Sequence, residues 1–316
     1  MTESWQVVNQ SSLNLDGWLE FNRYKWGVQP KRVRLSKEGK ELPAIEAVLY
    51  LDKEGRIVQP PLNPYLPVVF YPTPTNKETR LYNHWMSSSN LLAEEFLRYR
   101  VKGSVVFSPE VLDIRQWQWQ GFLSDVRYTF YLDLPFSIEQ VAPSVRNRIN
   151  KANKTNFSCE IATKDTFSEV IECLLETEVR QKFNYRLNVR DLEMALELIG
   201  KESFRVYVAR DSSDEVASSE IVISVPGLRA IHWIAGARRK FLSSGASQLL
   251  IWYILTDLWQ HGATGSDFVG ANLPTTSAGK ADWGGKLMPY YLVRPLDLRT
   301  LGRLGLTILQ RTRGLK

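Results

Sequence analysis

Basic and small residues lie just before the longest apolar stretch of the sequence, where a predicted strand passes into a predicted helix. In chain order they are Arg238, Arg239, Lys240, Ser243, Ser244 and Gly245. Backbone N–H groups at a helix N-terminus, with the helix dipole and nearby cations, can hold a pyrophosphate or another anion. The same residues would also suit an ordinary helix cap beside a solvated basic surface. The pattern indicates a candidate anion-binding loop.

Two titratable side chains fall on strands predicted to flank this loop. His232 lies in the apolar run 229–237, and an imidazole can accept a proton near neutral pH. Asp267 ends a short strand before Gly270, at an edge where α/β sheets commonly bind ligands. The alternatives are a hydrogen-bonded core histidine and a carboxylate that caps the turn at Gly270. Both residues are candidates for proton transfer.

Two tryptophans alternate in the segment DIRQWQWQGF (113–122), which we predict to be a strand. Period-two spacing would place Trp117 and Trp119 on one face. Such a stripe favours a core position, although an exposed pair could stack on a base or a substrate ring.

The elements that must position these residues alternate between helix and strand in the second half of the chain. Helices are predicted at 166–182, 189–198 (with Asn188 as N-cap) and 246–261 (ended by Gly262), and strands at 204–210, 216–225, 229–237, 266–269 and 288–293. The first third is rich in proline and predicts strands and loops with one helix, 88–100, together with a hairpin that begins at 44–51 and a strand at 126–134. This alternation predicts a mixed α/β fold.

The composition is that of a globular protein. The 316 residues include 44% hydrophobic and 23% charged residues, which excludes disordered and fibrous classes. The two cysteines do not form a disulfide framework or zinc-ligand spacing, and no histidine-based metal motif occurs. The sequence starts without a secretory signal, and its most apolar window, 249–259, is too short to span a bilayer. We expect a cytoplasmic protein without a metal.

The positive charge is concentrated near the C-terminus. The formal net charge is +6, and residues 294–316 carry six basic residues against one acid. Leucines in 296–316 recur at helical intervals, which predicts a basic amphipathic tail. Such a tail could lie on an anionic membrane, bind tRNA, dock on the body of the protein or fray, because its glycines lower helix propensity.

Three segments carry motifs of a known family. The first is SVRNRINKA (144–152), which follows a strand ending in an Asp-Leu pair; the second is GASQLLIWYILTDLWQHGATGSDFVGANLP (245–274); the third is GKADWGGKLMPYY (279–291). Together they resemble the FemABX-like and BioF2-like acyltransferases of the GNAT superfamily, over about residues 105–293. The closing motif of the family begins with an aromatic residue, and Gly279 stands at that position in this sequence.

The resemblance implies an α/β fold of two tandem GNAT-like mixed-sheet domains, the N-terminal one degenerate. The expected segments are 1–143 for the degenerate domain, 144–295 for the acyltransferase domain and 296–316 for the tail. In such a fold the loop 238–245 would bind the donor, because Lys240 falls at the basic position of the family's pyrophosphate signature.

The resemblance also implies roles for individual residues. Asp267 and Lys280 fall on its motifs, and together with His232, which is a candidate from its place on the strand, we expect them to act in catalysis. The residues expected to bind substrate are Arg146, Lys151, Arg180 and Trp283. For each basic side chain the alternative is a solvated surface charge.

The implied activity is amide formation between an activated acyl donor and an amine acceptor. The donor would be acyl-CoA or aminoacyl-tRNA, used as a co-substrate, and no tightly bound cofactor or stable protein partner is implied. Further expected contacts are the acceptor end of a tRNA and, through the tail, a peripheral membrane surface. The alternative is a catalytically silent GNAT-like module that binds nucleic acid or a cell-wall or glycan precursor.

Overall fold

The computed structural model describes residues 11–36 and 42–296. The helices are α1 (Asp16–Trp26), α2 (Glu78–Tyr99), α3 (Arg115–Trp119), α4 (Pro143–Lys154), α5 (Phe167–Gln181), α6 (Val189–Ile199), α7 (Ala246–Gln260) and α8 (Pro274–Ala281). The strands are β1 (Gln29–Leu35), β2 (Ile45–Leu51), β3 (Val68–Phe70), β4 (Val105–Val106), β5 (Phe122–Asp133), β6 (Ser158–Ile161), β7 (Phe204–Arg210), β8 (Val216–Ile223), β9 (Arg229–Ala237), β10 (Gly265–Asp267) and β11 (Lys286–Pro295). The mixed α/β class predicted from the sequence is confirmed.

The chain divides into two compact units that are not consecutive in sequence. Within the described residues, the first unit comprises 28–126 and 290–296, and the second comprises 11–27 and 127–289. This division differs from the consecutive segments 1–143 and 144–295, because α1 packs with elements that lie more than 150 residues further along the chain. The tail expected at 296–316 lies outside the described residues, apart from Leu296.

The first unit contains a three-stranded antiparallel sheet in the order β1-β2-β3. Aromatic side chains form much of its core, where Trp117 packs against Phe107 with 4.6 Å between ring centroids. The prediction that 113–122 is a strand is wrong. Arg115–Trp119 form the short helix α3, in which Trp117 is fully buried and Trp119 is 64% exposed, so the two rings do not share a face.

The second unit is built on strands in the order β5-β10-β9-β8-β7-β6. Neighbouring strands are antiparallel except for β9 and β10, which are parallel. Every residue of β8 is buried, as expected for a central strand covered on both faces. Apolar side chains of α4 and α7 pack on one face of this sheet.

The other helices of the second unit are fixed by close contacts. The backbone of α5 lies against β9 at Gly236, where an added Cβ would come within 2.6 Å of the Cys173 carbonyl carbon. The helix α1 was not predicted from the sequence. It places Trp18 edge-on against Trp233 of β9, with 5.1 Å between ring centroids, and Lys25 forms a 2.7 Å ion pair with Asp191 of α6.

Most predicted elements of the second unit are confirmed. Asn188 caps α6 and forms a capping box with Asp191, and α7 ends just before Gly262, which has a φ of 80°. The three strands β7, β8 and β9 form the predicted antiparallel meander.

Candidate active site

The two parallel strands of the second unit part after three residue pairs. Arg229–Ile231 of β9 pair with Gly265–Asp267 of β10, after which β10 ends and β9 continues to Ala237. The register of β9 against β8 is irregular at this point and skips Trp233. Ala235 is exposed, although the residues on either side of it are buried. The parting therefore leaves an accessible backbone edge on β9, in the kind of position where α/β sheets bind ligands.

A tyrosine contacts this accessible edge. The Tyr185 hydroxyl, from the segment between α5 and α6, donates a hydrogen bond to the Ala235 carbonyl at 3.3 Å. Burial raises the pKa of Tyr185 to about 12, so the hydroxyl keeps its proton at neutral pH. Sequence reasoning did not identify Tyr185, because only the folded loop brings it to β9.

His232 is the first residue of β9 beyond the segment that pairs with β10. It is 5% exposed, and its Nδ1 lies 2.6 Å from a carboxylate oxygen of Glu220 on β8. Its ring meets Phe268 edge-on with 4.9 Å between centroids. Sequence reasoning singled out His232 but not Glu220.

Asp267 lies at the same parting, at the end of β10, and is fully buried. One of its carboxylate oxygens accepts hydrogen bonds from the Thr129 hydroxyl at 2.6 Å and from the Val269 N–H at 2.8 Å. The carboxylate thus caps the turn that follows β10, which was the alternative weighed for this residue. These contacts fix the turn beside His232.

Lys280, from α8, holds the same turn. Its ammonium donates to the carbonyl oxygens of Phe268 at 2.6 Å and Gly270 at 2.7 Å, and also to that of Val269. Burial lowers the pKa of Lys280 to about 8, against the opposing attraction of Asp267 and Glu220. All three N–H bonds are engaged, so the side chain positions a turn rather than offering its charge to a phosphate.

The turn that Asp267 and Lys280 hold is strained. Val269 has a φ of 43°, which is unfavourable for a β-branched residue, and Gly270 has a φ of 68°. Such a backbone persists only when surrounding contacts hold it in place. Here the Asp267 carboxylate and the Lys280 ammonium hold it, next to the point where β9 and β10 separate.

The loop 238–245, expected to bind the donor, has most of its charges paired. Arg238 forms a 3.0 Å ion pair with Glu215 and a shorter one with Glu172, and Lys240 also pairs with Glu215. The Arg239 N–H donates to Glu176 at 2.6 Å. Glu172 and Glu215 thus compete with an anion for Arg238 and Lys240, whereas Glu176 engages the Arg239 backbone and not its guanidinium.

The N-terminus of α7 is also closely packed. Gly245 precedes it with a φ of 93°, and an added Cβ there would lie 2.0 Å from the Arg148 carbonyl oxygen of α4. The Ser244 hydroxyl already accepts the Ala246 N–H at 3.1 Å, and the Ser243 carbonyl accepts from Lys151 at 2.7 Å. The structure therefore brings the predicted loop residues together, but in contact with α4.

The residues expected to bind substrate are distributed over several elements. Arg180 donates to the Ala237 carbonyl at 3.2 Å, which places it at the far end of β9. Trp283 is 2% exposed and packs edge-on against Phe268, so it is a core residue. Arg146 and Lys151 lie on α4, whose twelve residues include four cations and no acid.

Other chemistries find less support in the described part of the chain. No group of three or more His, Cys, Asp or Glu residues there could hold a metal ion. Burial raises the pKa of the free thiols of Cys159 and Cys173, to about 12 and about 11, which disfavours a reactive thiolate. Among the described helices, none has both the length and the apolar character needed to cross a membrane.

Comparisons with known proteins agree with this fold. Residues 142–280 match the family model described as an acetyltransferase (GNAT) domain. A search of curated proteins finds no match. Among solved structures, FemX has 12% identity and a TM-score of 0.64, and the match covers 91% of this chain and 93% of that one.

Two further solved structures are similar over most of the chain. One is the C-terminal domain of a putative lysylphosphatidylglycerol synthetase from Agrobacterium fabrum, with 12% identity, a TM-score of 0.59 and coverage of 95% of this chain and 93% of that one. The other is L-PGS from Bacillus licheniformis, with 12% identity, a TM-score of 0.55 and coverage of 90% and 93%. At these identities the likeness is one of fold.

Proposed function

Because residues 142–280 carry a GNAT domain and the chain shares the fold of FemX, we propose that this protein transfers an acyl group from an activated ester to an amine. The product is an amide. The reaction takes place where β9 and β10 part. The donor that we favour is an aminoacyl ester such as aminoacyl-tRNA.

The accessible edge of β9 at Ala235 is the observation that carries this proposal. A strand edge that no neighbouring strand covers holds its backbone groups in a fixed direction, and an extended ligand that displaces the Tyr185 hydroxyl from the Ala235 carbonyl can be aligned by them. Correct alignment of an ester and an amine can supply much of the rate enhancement of acyl transfer. The edge lies within the matched domain, next to the buried polar side chains of His232 and Asp267.

The choice of donor rests on the closed loop at α7. A coenzyme A pyrophosphate placed there would compete with Glu215 for Arg238 and Lys240, at a helix N-terminus that is closely packed against α4 at Gly245. An aminoacyl ester of tRNA has no such pyrophosphate. The basic helix α4 lies beside the same loop and could bind phosphates of a tRNA acceptor end.

The experiment compares the two donor classes directly. The purified protein is incubated with a panel of amines and either acetyl-CoA or a mixture of charged tRNAs, and the amide product is identified by mass spectrometry. We expect amide formation and tRNA deacylation with the charged tRNAs. Product from acetyl-CoA alone would overturn the choice of donor, and amide from neither donor would overturn the proposed function.

A pair of matched variants tests the site. Ala235→Tyr adds a ring at the accessible edge and should reduce the rate by at least about tenfold, because misplacement of the donor is costly. Ser212→Tyr adds the same ring in the exposed turn between β7 and β8 and should leave the rate unchanged. Equal rates in the two variants would exclude the β9 edge as the reaction site.

A further inference from the structure

Glu220 and His232 form a buried acid–imidazole pair that the sequence motifs do not include. Glu220 is 7% exposed and His232 is 5% exposed, and they lie on neighbouring strands, β8 and β9. The Glu220 carboxylate oxygen lies 2.6 Å from Nδ1 of His232. The pair is therefore a charge-assisted contact inside the sheet, shielded from water.

The contact with Glu220 selects one tautomer of the imidazole. A carboxylate only accepts hydrogen bonds, so Nδ1 carries the hydrogen and donates it to Glu220. The other nitrogen, Nε2, is then an acceptor. It is buried and has no hydrogen-bond partner among the described residues. Buried polar atoms are rarely left in this state, so the atom points to a missing donor.

The pair lies where β9 leaves β10. The last paired residue of β9 is Ile231, and His232 follows it, packed against the ring of Phe268. The charged groups nearby are Asp267 at the end of β10 and Lys280 on α8, and both Asp267 and Glu220 act electrostatically on the Lys280 ammonium. Lys280 is itself held by three backbone carbonyls, so its ammonium is not the donor that Nε2 of His232 lacks.

We propose that Glu220 is a positioning residue that holds His232 with Nε2 as the proton acceptor for the amine substrate. This inference rests on the proposed acyl transfer and assigns the proton movement within it. Glu220 acts through His232 and does not itself contact the substrate. Its carboxylate also stabilises the imidazolium that forms.

The lone pair of the amine nitrogen forms the new C–N bond to the acyl carbon, and Nε2 takes the proton that this nitrogen loses. The ester C–O bond breaks, and its electron pair goes to the leaving ribose oxygen. The imidazolium then returns the proton to that oxygen, so His232 is neutral again at the end.

The first test is independent of turnover. Nitrogen-15 NMR of the three histidines in the full chain reports the tautomer of each ring. We expect His232 to show the Nδ1–H form in the wild type, and Glu220→Leu, which removes the acceptor, to lose the preference for that tautomer. An Nε2–H form in the wild type, or a preference that Glu220→Leu leaves unchanged, would overturn the proposal.

The second test uses the pH dependence of kcat. His232→Gln should lower kcat by about 10²-fold or more and remove the rise with pH, with little change in KM for the donor. Glu220→Gln should lower kcat by about tenfold or more and shift that rise to lower pH, and Glu220→Asp should restore part of the rate. His261→Gln, which removes an exposed imidazole paired with Asp257 through an i,i+4 contact, should behave as wild type.

The two proposals fail in different ways. If the wild type forms no amide from either donor, the proposed function is wrong, and the NMR result still decides whether Glu220 orients His232. If the wild type is active and His232→Gln retains both the rate and the pH profile, the acyl transfer stands and the role of the pair is wrong. Circular dichroism and urea unfolding identify variants that fail to fold.

Discussion

The burial of Lys280 makes its contribution to stability depend on pH. Its pKa falls from 10.5 to about 8 in the folded protein because the ammonium is buried. In the unfolded chain the side chain is solvated and titrates near its ordinary value. Between pH 8 and 10.5 the unfolded state therefore binds more protons than the folded state, and the free energy of unfolding rises with pH.

The magnitude follows from the shift. Each unit of pKa corresponds to about 1.4 kcal/mol, so the full effect is about 3 kcal/mol, of which about 2 kcal/mol develops between pH 7.5 and pH 9.5. Lys280→Met keeps a chain of similar length and removes the titrating group. We expect the free energy of unfolding of the wild type, minus that of Lys280→Met, to rise by about 2 kcal/mol over this pH range.

Urea unfolding at pH 7.5, 8.5 and 9.5 measures this difference. Taking it against a variant cancels the titration of the tyrosines, the cysteines and the other lysines. Lys201→Met, at an exposed lysine, is the matched control and should stay parallel to the wild type at every pH. A difference that is flat or falls between pH 7.5 and pH 9.5 would refute the reasoning that the buried ammonium is destabilised by loss of water.

Three further predictions concern packing and the loop before α7. Gly245→Ala should lower the free energy of unfolding by at least about 2 kcal/mol, because Gly245 has a left-handed backbone and lies close to a carbonyl of α4. A Cβ at Gly279 would meet nothing within 4 Å, so Gly279→Ala should not destabilise the protein. Urea unfolding compares the two variants. Trp117→Ala should cost about 3–5 kcal/mol and Trp119→Ala less than about 0.5 kcal/mol, and similar losses would contradict the assignment of α3. Glu215→Gln should release Lys240, leave Arg238 paired with Glu172 alone, and tighten binding of inorganic pyrophosphate in calorimetry. Unchanged binding would show that the packing at α4 closes the loop.

The sequence was most informative where local patterning decides the structure. The meander of β7, β8 and β9 follows from apolar runs separated by turn residues, and the start of α6 follows from the Asn188 cap. The strand predicted around Trp117 was wrong, because alternation over five residues fits a strand as well as a short helix packed against aromatic side chains. The helix α1 was missed because its packing against Trp233 depends on residues far along the chain.

The sequence pointed to two of the candidate residues at the strand parting but not to their contacts. His232 and Asp267 stand out as titratable residues in apolar strands, and both lie at the strand parting. Glu220 does not stand out, because its approach to His232 depends on the register between β8 and β9. Likewise, the contacts of Lys280 are with backbone carbonyls, which have no signature in the side-chain sequence.

The discontinuous second unit has a consequence for the order in which the chain folds. During synthesis, α1 leaves the ribosome well before α6 and Trp233, on which it packs; the Lys25–Asp191 contact spans 166 residues of the chain. Such contacts close very long loops, which slows folding and leaves the apolar face of α1 exposed until they form. A chain cut to the matched residues 142–280 would lack both α1 and β5, and would present the uncovered ring of Trp233 and the unpaired edge of β10 to solvent.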